Sequence, residues 1–443
     1  MKVVLINCPQ TNPEKPPLSL AYLASYLSQR NIEITCFDLN IEFYDECDAE
    51  RKKFWDAVMS LEWYDLARYN SREMVSNELI RKWAEAVCFS NPDVVGLSLN
   101  STNLFTSLRL AKEIKKMNSD KIIVLGGPEA YRQVGLSNLE IFVDADALVC
   151  GEGEEKFYTL LNSIQKYKKI FPGKGILVRA NGIWEGDPSI GLNADINALP
   201  FPDYSFFSLK KYKRREEFPL LFSRGCCNRC VFCFERAYWN EFRCRNVENV
   251  IEEIAQVQKK YGIRHFALND SLVNGDMDFL SEFCKRVISE KLDIEWWGMA
   301  RVHPGMSYSF VKTMAQAGCK LIAYGIESGS QKVLNASRKG YAVATIEEVL
   351  CNTHRAGVLQ GINLMIGLPA EGEDEFRETC EFIKANGSYI YYVNISILGI
   401  EPFTDLYGQR AMHRDAGLLR QRAKKLSEVV NRYVGFCFDH SDS

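Results

Sequence analysis

Histidine is scarce in this sequence: five in 443 residues, and none ahead of His265. Any ligand held by the first half must therefore be held without imidazole. Charge of one sign is also missing. Fifty-four Lys and Arg face 57 Asp and Glu, a net charge of −3, so no global field draws the chain to nucleic acid. The longest basic runs, 111-AKEIKK-116 and 208-SLKKYKRR-215, read as solvated surface or linker. No apolar run approaches the roughly 20 residues of a membrane helix. The start, MKVVLINCPQ, lacks the long apolar region and small-residue cleavage site of a signal peptide. The expected address is the cytoplasm, with neither nucleic acid nor membrane as partner. There is no internal repeat and no low-complexity tract.

What is plentiful is cysteine. Fifteen is an odd count, spread over strand-like and helix-like segments, which argues against a disulfide framework. Most of them, such as Cys36, Cys88, Cys284, Cys319 and Cys351, read as small buried hydrophobes. The stretch 223-SRGCCNRCVFCF-234 is different: Cys226, Cys230 and Cys233 follow the spacing C-x-x-x-C-x-x-C. Thiolates at that spacing suit zinc or an iron–sulfur cluster. A closed site wants four protein ligands, and Cys244 is the one conceivable fourth, because Cys227 adjoins Cys226. Three ligands on a four-iron cluster leave one iron open for a substrate or cofactor.

The chain is long enough for two domains. Residues 1–170 alternate strand and helix: 2-KVVLI-6, 32-IEITCFDL-39, 93-DVVGLSL-99, 121-KIIVLGG-127 and 146-DALVCGEGE-154 are strands of a doubly wound, Rossmann-like α/β domain. Ser98, Gly126 and Gly127 fall at strand carboxyl ends, where open α/β sheets bind ligands. The aromatic and charged insertion 41–70 reads as a packed helical pair rather than as a lid. Residues 171–215 read as a linker with a hairpin turning at Asn181-Gly182. Residues 216–443 alternate again, with strands at 219–223, 265–269, 294–300, 321–327, 360–367 and 390–399, then a C-terminal helix and tail. Six strand–helix units suggest a partial (β/α)6 barrel with its chemistry at the strand carboxyl ends. The cysteine loop follows the first of these strands.

With Phe232, the loop reads C-x-x-x-C-x-aromatic-C, and the sequence here resembles the radical SAM enzymes. The resemblance implies a 4Fe–4S cluster on Cys226, Cys230 and Cys233. Its open iron would chelate S-adenosylmethionine (SAM), whose cleavage yields a 5′-deoxyadenosyl radical. Phe232 would lie near adenine. Asp270, at the end of the second barrel strand, would help hold the methionine amino group. Glu327 and Ser328 in 325-GIESGSQ-331 match the contacts to ribose and methionine, and Gly367 in 361-GINLMIGLPAE-371 lies in the segment beside adenine. Arg301 and the 338-RKG-340 segment offer cations for the carboxylate. The chain departs from the family at Cys227, where proline is usual, and at Phe403 in 402-PFTDLY-407, at the glycine position of P-G-T.

The first half resembles the cobalamin-binding domain of one radical SAM subgroup, through 16-PPLSLAYLASYL-27, 94-VVGLSLNST-102, 125-LGGPEA-130 and 151-GEGEEKF-157. The histidine of the usual D-x-H-x-x-G motif is missing. The resemblance therefore implies cobalamin bound without histidine ligation, with Ser98, Gly126 and Gly127 lining the cleft for its nucleotide tail, or a domain that has lost cobalamin. It also implies an electron donor such as flavodoxin or ferredoxin, a small-molecule or peptide substrate, and methylation of an unactivated carbon. Rearrangement, cyclisation, ring contraction and a non-catalytic iron–sulfur protein are the alternatives.

Overall fold

The computed structural model describes every residue except 57–58, 194, 409–414 and 440–443. His413, His440 and the end of the expected C-terminal tail lie outside the described residues. The chain forms two units, Met1–Arg215 and Glu216–Ser443.

The first unit is built on seven strands: β1 (Lys2–Asn7), β2 (Glu33–Asp38), β3 (Val94–Ser98), β4 (Ile122–Gly126), β5 (Ala147–Val149), β6 (Ile176–Ala180) and β7 (Ile183–Asp187), in the order β2-β1-β3-β4-β5-β6-β7. The first five pair in parallel. Val3, Val4, Val94, Val95, Ile123 and Leu148 are fully or almost fully buried, as a sheet covered on both faces requires. The hairpin expected as part of a linker is instead the last two strands of this sheet. β6 runs antiparallel to β5, and β7 to β6. It leaves the linker because Ile176 and Leu177 bury against the sheet.

The insertion after β2 is packed, as a string of short helices rather than a pair. Phe43, Trp55, Trp63 and Tyr69 form a chain of ring contacts, with centroids 5.2–6.3 Å apart from Trp55 to Trp63 to Tyr69. Trp63 and Tyr69 are almost completely buried.

The second unit holds β8 (Glu217–Leu220), β9 (Ser223–Arg224), β10 (Arg243–Cys244), β11 (His265–Leu268), β12 (Glu295–Ala300), β13 (Cys319–Glu327), β14 (Leu359–Ile366), β15 (Tyr392–Ile397) and β16 (Cys437–Asp439). Its main sheet is all parallel, in the order β8-β11-β12-β13-β14-β15-β16. Each strand lies beside its neighbour in sequence, which is the winding of a β/α barrel. The ends β8 and β16 leave it open. The seventh strand, β16, was not foreseen; three residues after a long helix carry too weak a periodicity to register.

Along each strand one face is sealed by helices. Trp296 packs its ring against Phe222 and Phe283, and the last two lie 4.6 Å apart. On β14, Gln360 Nε2 donates to the Leu350 and Tyr389 carbonyls at 2.8 and 2.7 Å. The alternate residues face the barrel interior. No helix among the described residues is long and apolar enough to cross a membrane.

Candidate functional site

The cysteine loop is closed at its base by a two-stranded ribbon. β9 pairs antiparallel with β10, Arg243 opposite Arg224 and Cys244 opposite Ser223. Between Arg224 and Cys226 the chain turns through Gly225 at φ +89°, where a Cβ would sit 2.2 Å from the Glu241 carbonyl oxygen. Only glycine fits that close approach. The loop ends at the helix Phe234–Trp239. The Cys233 amide donates to the Cys230 carbonyl at 3.2 Å, and the Val231 amide to the Ser337 carbonyl at 3.4 Å.

Cys226, Cys230 and Cys233 lie near enough to act on one another electrostatically. Burial pushes Cys226 up to about 12 and Cys233 up to about 11, and raises Cys230. Burial thus favours the protonated thiols, whose protons a bound metal would displace. Among the described residues no three His, Cys, Asp or Glu side chains converge as ligands of a single metal ion. Three thiol donors on one short loop are soft ligands of the kind an iron–sulfur cluster takes. Cys244 is turned elsewhere: its thiol donates to the Phe222 carbonyl at 3.5 Å, and its charged neighbours are Asp270, Asp276 and Arg245. The donor set therefore fits a cluster with one open iron.

A buried ion pair stands beside the loop. Lys339 Nζ lies 3.1 Å from Glu327 Oε1, and the two side chains are 6% and 12% exposed. Both act on Cys230, as does Arg301. Glu327 reaches this position through a register shift between β13 and β14 at Gly325/Glu327 and a left-handed φ of +68°. A non-glycine residue held there marks strain that the surroundings must support. Tyr341 completes the group, its hydroxyl donating to the Gly325 carbonyl at 2.8 Å. Of the 338-RKG-340 segment, only Lys339 turns inward; Arg338 pairs with the exposed Asp405. Tyr341 escaped the sequence reading because nothing in its spacing sets it apart from any loop tyrosine.

Phe232 packs with Met365 against an apolar cluster that includes Val231, Val333 and Leu368, 6.0 Å from the Lys339 ammonium. Gly367 turns at φ +84°, and its amide donates to Glu371 Oε1 at 3.1 Å. Arg301 Nη1 donates to the exposed Cys227 sulfur at 3.7 Å.

Two expected cofactor ligands spend their polar atoms on the protein itself. Asp270 is 4% exposed. Its carboxylate accepts from the Phe222 amide at 2.9 Å, the Ser223 amide at 2.5 Å and the Ser223 hydroxyl at 2.6 Å. Burial nevertheless raises its pKa to about 7, against those hydrogen bonds and the charge of Arg245. Ser328 is buried, its hydroxyl 3.0 Å from Thr379 Oγ1 and accepting from the Ser330 amide. Asp270 thus ties the ends of β8 and β11 together below the cysteine loop. Ser328 ties the end of β13 to the helix Glu373–Asn386.

In the first unit, the chain runs from β1 outward to β2 and then back past β1 to β3, so the carboxyl ends of β1 and β3 form the switch point. The loops there hold each other: Thr102 Oγ1 donates to the Gln10 carbonyl at 2.8 Å. Ser98, Gly126 and Gly127 remain partly exposed above otherwise buried strands. Gly127, at φ +96°, lets its loop lie on Leu99; a Cβ would meet the Leu99 carbonyl oxygen at 2.5 Å. This leaves an uncovered strip of backbone and small side chains, which fits a large nucleotide-bearing ligand. It offers no imidazole to a metal.

Residues 220–383 match the Radical SAM superfamily and residues 70–161 the B12 binding domain. An uncharacterized methyltransferase of Pyrococcus horikoshii is 27% identical, over 92% of this chain and 82% of that protein. An anaerobic magnesium-protoporphyrin IX monomethyl ester cyclase of Cereibacter sphaeroides is 26% identical over 69% of this chain, but the match spans only 51% of the cyclase. Among solved structures, the radical S-adenosylmethionine methyltransferase TsrM from Kitasatospora setae, with tryptophan and a SAM analogue bound, superposes with a TM-score of 0.71 at 17% identity. That match covers 91% of this chain and 74% of TsrM. The chain is a radical SAM enzyme of the group that carries a B12-binding domain ahead of its barrel.

Proposed function

We propose that this enzyme methylates an unactivated carbon of a small-molecule or peptide substrate, using a 4Fe–4S cluster, SAM and cobalamin. The observation that carries the reading is the joint presence of an open three-thiol set at the carboxyl end of a barrel and a histidine-free B12-binding domain on one chain. When bound, the cluster and SAM supply a 5′-deoxyadenosyl radical, and cobalamin supplies the methyl group. Cys226, Cys230 and Cys233 would hold the cluster. Lys339 and Arg301 would offer positive charge to the SAM carboxylate, and Glu327 would take the ribose. Phe232, Met365 and Gly367 would flank adenine, the two apolar side chains excluding water. Ser98, Gly126 and Gly127 would face the nucleotide tail of cobalamin. The reading includes a cytoplasmic address and a reducing partner such as flavodoxin or ferredoxin.

The test is anaerobic purification from cobalamin-fed cells, with iron, sulfide and cobalt measured per chain. Transfer of a labelled methyl group from SAM is then followed in extracts depleted of the enzyme and resupplied with it. One cluster and about one cobalt per chain, with label entering a product, is expected. A full cluster with SAM cleavage but no cobalt and no labelled product overturns methylation in favour of rearrangement or cyclisation.

A further inference from the structure

The barrel interior carries a pair of amides, one of them within the 361–371 segment, to which the cofactor reading assigns no role. On β14, Gln360, Ile362, Leu364 and Ile366 are buried toward the helices, while Asn363 and Met365 alternate with them and stay partly exposed. On β15, Val393 and Ile395 are fully buried, while Tyr392, Asn394 and Ser396 stay partly exposed. Asn363 and Asn394 are register partners, so both stand in one layer of the inner face. Gly325 pairs with Asn363 in that layer, and Ala300 pairs with Tyr324 one residue below, which puts Arg301 at the same level.

The two amides are joined, Asn394 Nδ2 donating to Asn363 Oδ1 at 2.8 Å. That bond leaves the Asn363 NH2 group as donor and the Asn394 carbonyl oxygen as acceptor on neighbouring strands. Rotating both amides by 180° exchanges the roles and leaves the same couplet. Below lies an aromatic floor. Tyr392 lays its ring across Gly361, where a Cβ would fall 2.1 Å from Cζ, and Trp297 is fixed by its indole N–H to Glu217 at 2.9 Å. Above, Ser396 spends its hydroxyl on the Leu364 carbonyl at 3.4 Å. The couplet is therefore a neutral hydrogen-bonding feature of this layer.

We infer that Asn363 and Asn394 select the substrate, and that the substrate presents a planar amide-type edge: a carboxamide, a lactam or the hydrogen-bonding edge of a nucleobase. The inference rests on the radical SAM reading for its reaction and on the inner face of β14 and β15 for its substrate. A donor–acceptor pair reads such an edge bidentately, as asparagine reads adenine. A ligand without the edge leaves the outer donor and acceptor of the couplet unmet, which is where polar sites discriminate most strongly.

The probes are nicotinamide and methyl nicotinate, neutral rings of similar size that differ in the amide N–H. Binding to the reconstituted holoenzyme is measured by ligand-observed NMR, with and without SAM. A preference for nicotinamide of about tenfold is expected, unchanged by SAM and lost in Asn363→Leu and in the near-isosteric Asn394→Asp. No preference in the wild type, or no binding of either probe, overturns the inference. Competition by SAM assigns the couplet to the cofactor's own adenine and also overturns it. SAM cleavage by the same preparation is scored separately. Cleavage without amide preference removes the couplet and leaves the radical SAM reading. Amide preference in a protein that holds no cluster removes that reading and leaves the couplet.

Discussion

Lys339 and Glu327 form a buried ion pair, 3.1 Å apart, whose ammonium also stands 6.0 Å from the ring of Phe232. Burial alone would lower the Lys339 pKa, but the Glu327 charge outweighs it and the group is held well above its ordinary value. Lys339 is charged at every physiological pH. Removing one partner leaves the other buried and uncompensated, at about 3–5 kcal/mol. Lys339→Met should lower stability by that order in urea titrations of the apoprotein. The double variant Lys339→Met/Glu327→Leu should recover most of the stability and none of the SAM affinity, measured by equilibrium dialysis. Full SAM affinity in the double variant would show that the pair only supports the loop.

Asp270 makes a pH prediction with a definite sign. Its pKa rises from 3.8 when unfolded to about 7 when folded, chiefly through burial. The folded state therefore binds the proton more tightly. The stabilisation is fully present below the unfolded pKa and is lost as pH rises from about 4 through about 7. Apoprotein melting temperatures should fall across that window more steeply in the wild type than in Asp270→Asn. Parallel curves for the two proteins would place the titration elsewhere.

Cys244 separates a closed metal site from an open one. Its thiol donates to the Phe222 carbonyl rather than facing the cysteine trio. Cys244→Ala should retain iron and sulfide at the wild-type ratio after reconstitution, while Cys230→Ala should lose the cluster. Loss of iron in Cys244→Ala would restore the four-ligand reading.

Phe403 holds φ at +63° and is 44% exposed. A side chain in the left-handed region costs about 1–2 kcal/mol, and this one regains only part of that by burial. Phe403→Gly should raise stability by about 1 kcal/mol, after the extra entropy of glycine in the unfolded chain. Chemical denaturation reads the difference. A destabilised variant would mean that the phenyl ring packs more tightly than its exposure suggests.

Removing the buried charge beneath the loop should be severe. Arg245 Nη1 lies 2.6 Å from Glu253 Oε2, with side chains 5% and 1% exposed, and donates to the Leu221 carbonyl. Arg245→Met should cost about 3–5 kcal/mol, seen as a lowered denaturation midpoint. A smaller loss would show that Glu253 takes up a proton instead, in line with its raised pKa.

By itself the sequence determined the local and periodic parts. Apolar runs marked β3 and β4, because strands covered on both faces are apolar throughout, and the alternation in 32-IEITCFDL-39 marked β2, because a half-buried strand repeats every two residues. The spacing of Cys226, Cys230 and Cys233 marked the cluster loop, because one short loop carries all three donors. Tertiary structure decided what depends on partners distant in sequence. Only the fold shows that Asp270 and Ser328 spend their polar atoms on the backbone of residues 222–223 and on Thr379, that Lys339 rather than Arg338 turns inward, and that Asn363 meets Asn394 across two strands. The hairpin joined the first sheet for the same reason: a turn signal fixes how two strands meet, but the edge they extend is chosen by apolar surface far away in the chain.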